Sequence, residues 1–236
     1  MKRVLITGAT SGIGRGLAEQ YANDHIVYAC GRNEQALSEL TQIANITALQ
    51  MDVTKIDEIK SQCAQIDALD LLILNAGNCE YIDDAKHFDS ALFKRVIDVN
   101  LLSLGYCLEV LLPRLREGGQ LIIVSSSASF LALPRAQAYG ASKAGATYLA
   151  QSLAVDLDHI DVSVVHPGFV KTPLTDKNDF SMPMAVSVEQ ATKAIMKGIS
   201  KRKKEIHFPK RFTFILKLLQ LLPFSMWLFL SKGIRR

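Results

Sequence analysis

Val4-Leu5-Ile6-Thr7-Gly8-Ala9-Thr10-Ser11-Gly12-Ile13-Gly14 decides how the whole chain is to be read. Three consecutive large apolar residues run into a glycine-rich turn, and from residue 13 to 21 the pattern is helical. A strand that is apolar at successive positions is buried on both faces, as in a parallel sheet covered by helices. Glycines at 8, 12 and 14 let the backbone turn tightly and approach a pyrophosphate. The N–H groups that open the following helix stabilise its charge. Placed directly after a first strand and opening a helix, such a turn is a strong nucleotide-binding signal.

Outward from this unit the same alternation continues. Strands are predicted at 4–6, 26–28, 46–51, 69–74, 121–125, 162–165 and 206–208. Helices are predicted at 13–21, 34–43, 56–66, 88–116, 137–158 and 188–199. Strict βαβ alternation with right-handed crossovers gives an α/β fold: a doubly wound, Rossmann-like, three-layer arrangement around a parallel seven-stranded sheet. No repeat or Gly/Ser linker interrupts it, so residues 1–209 form one domain. Residues 210–236 form a hydrophobic and basic helical tail.

Composition narrows the classes further. Apolar residues make up 49% and charged residues 21% of the 236, a globular balance and not a disordered one. Cys30, Cys63, Cys79 and Cys107 show no C-x-x-C pair and no metal-ligand spacing, so buried thiols in a reducing compartment are expected, and no metal. The first residues run into the glycine turn too early for a signal peptide, so a cytoplasmic location is expected. The net charge of +4 is uneven: residues 201–236 carry ten Lys/Arg against Glu205, which leaves residues 1–200 acidic. Nucleic-acid binding by the whole domain is therefore not expected.

A second stretch, Tyr139-Gly140-Ala141-Ser142-Lys143, puts a phenol and an ammonium one helical turn apart on one face. A phenol titrates near ~10, and a neighbouring cation favours its anion, so the pair could move a proton to or from an alcohol or carbonyl oxygen. Taken alone, such a pair is more often solvated surface.

The spacing G-x-x-x-G-x-G with Tyr-x-x-x-Lys downstream resembles the short-chain dehydrogenase/reductase (SDR) family, over roughly residues 1–208. The resemblance extends to Asn75-Ala76-Gly77 after the fourth strand, Asp98-Val99-Asn100, Ser125-Ser126 after the fifth and Pro167-Gly168 after the sixth. It implies an NAD(P)-dependent oxidoreductase in which Ser126 holds the substrate oxygen and Tyr139 is the general acid–base. Lys143 would contact the nicotinamide ribose and lower the Tyr139 pKa. Asn100 would hold a water linking Lys143 to solvent. The cofactor would lie on Gly8, Ser11, Gly12, Ile13 and Gly14, then Arg32, Asp52 and Val53, Asn75, Ala76 and Gly77. Tyr139 and Lys143 would meet it too, with Pro167, Gly168, Val170 and Thr172 beneath the nicotinamide.

Residue chemistry adds to that resemblance. Strand two ends Ala29-Cys30-Gly31-Arg32 with no carboxylate for a ribose 2′-OH, whereas a guanidinium suits a 2′-phosphate; NADP(H) is favoured over NAD(H), although Arg32 could instead stack on adenine. Asp52 matches the family's adenine-contacting acid or caps the next helix, with Thr54 competing for the cap. Residues 173–187 either close over substrate or form an ordinary loop.

In the tail, the polar positions Thr213, Lys217 and Gln220 fall at i, i+4 and i+7 among Phe, Ile and Leu, and Pro223 should break the helix. The tail either lies in a membrane interface, with Trp227, Phe224 and Phe229 inserted and Lys201–Lys204, Lys210, Arg211, Arg235 and Arg236 on anionic headgroups, or contacts the domain or a second subunit. The family's usual dimer or tetramer would use the helices over 101–112 and 138–157. A non-catalytic NADP(H)-sensing, membrane-associated protein would have no need of Asn100, Ser126, Tyr139 and Lys143 together. Extended epimerase relatives usually carry G-x-x-G-x-x-G instead. The substrate is expected to be a small carbonyl or alcohol, and a hydrophobic one given the tail.

Overall fold

The computed structural model describes residues 1–176 and 178–234. Its centre is β1 (Arg3–Thr7), flanked by two parallel neighbours: β2 (Ile26–Gly31), with Val4 opposite Val27, and β4 (Leu69–Leu74), with Val4 opposite Leu71. With β3 (Ile46–Gln50), β5 (Leu115–Val124), β6 (Asp161–Pro167) and β7 (Glu205–Phe208) the sheet runs β3-β2-β1-β4-β5-β6-β7, every pairing parallel.

Helices cover both faces, which is why the strands are apolar at successive positions. On one side α1 (Gly12–Tyr21), α2 (Glu34–Thr41) and α7 (Val188–Ser200) bury Leu17, Leu40 and Ile195 against Ile6 and Ile73. On the other, α3 (Ile56–Gln62), α5 (Ser103–Leu111) and α6 (Gln137–Asp156) bury Ile59, Leu111 and Ala146 against Leu5, Leu72 and Leu121. Strand order reverses between β1 and β4. Their C-terminal ends, at Thr7 and Leu74, therefore splay around a crevice, the usual ligand position in such sheets.

The structure corrects the sequence reading in two places. The helix expected over 88–116 is α4 (Ser90–Ile97), one π-helical turn (Asp98–Leu102), α5 and a short 3-10 turn at Leu112–Arg114. Strand β5 then starts at Leu115, six residues early, with an irregularity before Gln120 pairs Leu71. Helix α3 is capped by neither Asp52 nor Thr54 but follows Lys55. The Asp52 Oδ1 instead accepts from the Thr54 N–H at 2.9 Å and hydroxyl at 2.8 Å, closing its own turn.

The tail forms α8 (Lys210–Gln220) and α9 (Phe224–Ser231), broken before Pro223 as expected. Leu216 and Trp227 pack on Leu131 of the domain, and Trp227 Nε1 donates to the Ala132 carbonyl at 2.9 Å. Arg235 and Arg236 lie outside the described residues.

Candidate active site

The glycine turn is stitched to the end of β4. The buried Thr7 hydroxyl accepts from the Asn75 and Ala76 N–H groups at 3.0 and 3.1 Å. Asn75 Nδ2 donates to the Thr7 and Gly8 carbonyls at 3.1 and 3.2 Å. Asn75 thus bonds backbone across the strands and also lines the cleft beside the turn. Gly8 sits at φ +66°, where a side chain is strained, and a Cβ on Gly14 would lie 2.2 Å from the Gly8 carbonyl oxygen. Backbone thus packs against backbone where the resemblance expects a pyrophosphate. The Ser11 side chain makes no cap bond, which leaves the first amides of α1 without a side-chain acceptor.

A cleft of about 580 Å³ opens beside this turn, lined by Ser11, Gly12, Ile13, Arg32, Asp52, Val53, Asn75, Ala76, Gly77 and Thr172 among others. The shape and donors fit a dinucleotide: glycines where phosphate would approach, and a cation at the far end of β2. Arg32 is exposed, with Nη1 3.5 Å from Asp52 Oδ2. Partial burial alone would raise the Asp52 pKa, but the Thr54 hydrogen bonds and the Arg32 charge hold it below its ordinary value. Val170 is buried and bridges to Val186, while Thr172 stands against Gly12, so the segment after Pro167-Gly168 closes the cleft floor.

Behind Gly77, which lines the cleft, the four predicted catalytic residues converge. The π-turn places Asn100 in the interior, where its Oδ1 accepts from the Asn78 N–H at 2.8 Å. Its Nδ2 donates to the Asn78 carbonyl and to Ser142 Oγ at 2.9 and 3.0 Å. Ser126 opens a short 3-10 turn, its hydroxyl accepting from the Ala128 N–H at 3.1 Å and standing near the Tyr139 side chain. Lys143 Nζ donates to the Val124 carbonyl at 3.0 Å and lies 5.9 Å from the Tyr139 ring centre. Gly77 keeps the space between partners open: a Cβ there would stand 3.1 Å from Asn100 Oδ1 and 3.3 Å from Lys143 Nζ.

Burial sets the protonation of this cluster. It pushes Tyr139 well above its ordinary value, with a smaller contribution from the Cys79 thiol, and the nearby Ser126 hydroxyl only partly opposes this. It brings Lys143 down to about 8. The lowering of Tyr139 that the resemblance implies is thus not a property of the protein groups alone.

Three neighbours escaped the sequence reading. Cys79 is half-buried beside Tyr139, Lys143 and the Tyr81 hydroxyl, and burial raises its pKa. His166 is buried with Nδ1 3.1 Å from the Ser126 carbonyl oxygen; a carbonyl can only accept, so the imidazole donates there and fixes the turn that presents Ser126. Tyr81 meets the loop after Pro173, stacking edge-on with Phe180 and lying 3.3 Å from Asn178 Oδ1. Arg135 ties the same loop down by pairing with both Asp83 and Asp179. A single thiol, imidazole or phenol on no periodic pattern carries no signal of this kind.

Comparison with known proteins agrees with the geometry. The sequence profile of the short chain dehydrogenase family matches residues 2–183. An uncharacterized oxidoreductase of Myxococcus xanthus is 36% identical over 236 residues, 94% of this chain and 93% of the relative. A short chain dehydrogenase/reductase from Burkholderia phymatum, solved in complex with NAD, superposes with a TM-score of 0.83 at 20% identity, covering 92% of each chain. A short-chain dehydrogenase from Sphingobium yanoikuyae, in complex with NADPH, gives 0.79 at 23% identity over 99% of this chain and 93% of its own.

Proposed function

This chain belongs to the short-chain dehydrogenase family, and from that premise we infer that it reduces a carbonyl, or oxidises the corresponding alcohol, with NADP(H) and with Tyr139 as general acid–base. It is an oxidoreductase acting between CH–OH and C=O groups with a nicotinamide dinucleotide. The observation that carries the finer reading is the convergence of Asn100, Ser126, Tyr139 and Lys143 behind Gly77, a residue of the cleft wall.

The bound nicotinamide supplies or accepts the hydride. The protein does the rest. In reduction the Ser126 hydroxyl donates to the substrate oxygen and holds it beside Tyr139. The neutral phenol then gives its proton to the developing alkoxide. Lys143 holds a positive charge near the phenolate so formed. Asn100, fixed between Asn78 and Ser142, stands across Gly77 from Lys143, where a water would carry a proton onward.

NADP(H) is proposed over NAD(H) because the end of β2 offers the Arg32 guanidinium and no carboxylate; the compared structures hold one cofactor each and favour neither. Arg32→Glu is expected to weaken NADPH about 30-fold, near 2 kcal/mol, and to leave NADH within about threefold, as read by fluorescence titration. Equal losses for both cofactors would remove the 2′-phosphate role.

A second copy of the chain is proposed against the face formed by the π-helical turn, α5 and α6, where Leu102, Tyr148 and Val155 stand exposed. The four thiols are free, three of them buried, which supports a reducing, cytoplasmic setting.

A further inference from the structure

Helix α8 is amphipathic in the inverted sense. Part of its polar stripe faces the domain. Thr213 is fully buried with Oγ1 2.7 Å from His207 Nδ1, and Lys217 Nζ reaches Glu205 Oε2 at 2.5 Å. Phe214, Ile215, Leu218 and Leu221, at i, i+1, i+4 and i+7, are instead 48–81% exposed. Helix α9 adds Phe224 and Phe229 at 64% and 73%. A helix meant to face water turns its polar side outward, and a contiguous apolar patch marks an interaction surface.

Length and charge select the occupant. Helices of 11 and 8 residues reach ~17 and ~12 Å, too short to cross a ~30 Å hydrocarbon core, so the tail would lie along a membrane and not through it. Lys210 and Arg211 open α8, and Lys232 follows α9. The turn carrying Lys201 and Lys203 flanks the far end of α8, because the adjacent Lys204 lines one cavity with Gln220 and Leu221. No Asp or Glu follows Glu205 in the chain. A second copy seated here by a two-fold axis would set cations against cations; an anionic bilayer complements them.

We propose that α8 and α9 dock this protein in the plane of an anionic phospholipid surface, outward apolar face seated in the interface. The inner face of the same helices packs on the chain segments that follow Ser126 and β6 in sequence. Leu216 and Trp227 pack on Leu131, between Ser126 and Tyr139, and Phe212 packs on Phe169, just after β6. Resting on the catalytic reading above, the substrate class is then a bilayer-dissolved carbonyl or alcohol.

Flotation of the full chain with vesicles tests this. Vesicles of equal phosphatidylglycerol and phosphatidylcholine are expected to carry at least about tenfold more protein than phosphatidylcholine alone, with added salt erasing the difference. The triple variant Ile215→Ser, Phe224→Ser, Phe229→Ser alters exposed side chains that line no cavity with the domain; it should melt like wild type and stay at the bottom of the gradient. It should also lose turnover of a long-chain ketone carried in vesicles while keeping turnover of a water-soluble one. Docking is overturned if the full chain fails to float, if the triple variant floats equally, or if light scattering shows a dimer that the triple variant dissociates. Tyr139→Phe should float as wild type does. A chain that floats yet turns over no carbonyl would retain the docking and lose the catalytic reading.

Discussion

Tyr139→Phe is expected to lower kcat at least about 10³-fold at saturating NADPH while the NADPH Kd stays within about twofold, since only the proton donor at the substrate oxygen is removed. Steady-state kinetics and a fluorescence titration on one preparation read both. The pH dependence follows from the direction of the Tyr139 shift. Burial holds the phenol above its ordinary value, so it is protonated through neutral pH. Reduction, which needs the acid form, should be flat at saturating cofactor from about pH 6 until Lys143 begins to lose its charge near 8, and then fall. Oxidation, which needs the anion, should rise with pH at up to about tenfold per unit. Residual activity above about 5% in the variant, or an oxidation rate that falls as pH rises, would assign the proton to another group.

Gly14→Ala carries the second large effect. The new Cβ would meet the Gly8 carbonyl oxygen at 2.2 Å and Asn75 Nδ2 at 2.5 Å, and the first of these is backbone. Relief requires the turn to open and Asn75 to release the carbonyls that stitch β1 to β4. A cost of about 2–3 kcal/mol should lower the apo melting temperature by roughly 5–10 °C and weaken NADPH at least about 100-fold. Gly105→Ala, where a Cβ meets nothing within 4 Å, is the matched control and should be neutral or slightly stabilising. Near-wild-type cofactor affinity in Gly14→Ala would mean the turn does not approach the cofactor.

What was legible in the sequence was what depends on residue type at fixed spacing. The strand over 69–74 matches β4 to the residue, because the buried run Leu71–Leu74 with Leu69 leaves little freedom of phase. Asn100, Ser126, Tyr139 and Lys143 were found as single residues and come together in space. The π-turn that aims Asn100 inward was not legible, because one extra residue per turn leaves the apolar pattern of a long helix almost unchanged. The early start of β5 was hidden because Leu115 and Arg116 were read as the end of the helix over 88–116, and residues 117–119 lie in the irregularity between the Leu69–Leu115 and Leu71–Gln120 pairs. His166, Cys79 and Tyr81 reach the site through folding alone. In the tail the polar stripe was visible, but periodicity tells which residues share a face and not which face meets the protein. Thr213 bonded to His207, and Lys217 paired with Glu205, answer that.

Transfer of deuterium tests the central claim most directly. NADPH carrying deuterium at both hydrogen positions of the nicotinamide C4 is mixed with the enzyme and a panel of ketones and aldehydes, and the products are weighed by mass spectrometry. The account predicts an alcohol carrying one deuterium on the former carbonyl carbon, formed by wild type and not by Tyr139→Phe. Undeuterated product, or no alcohol from any carbonyl by an enzyme that binds NADPH, would contradict it.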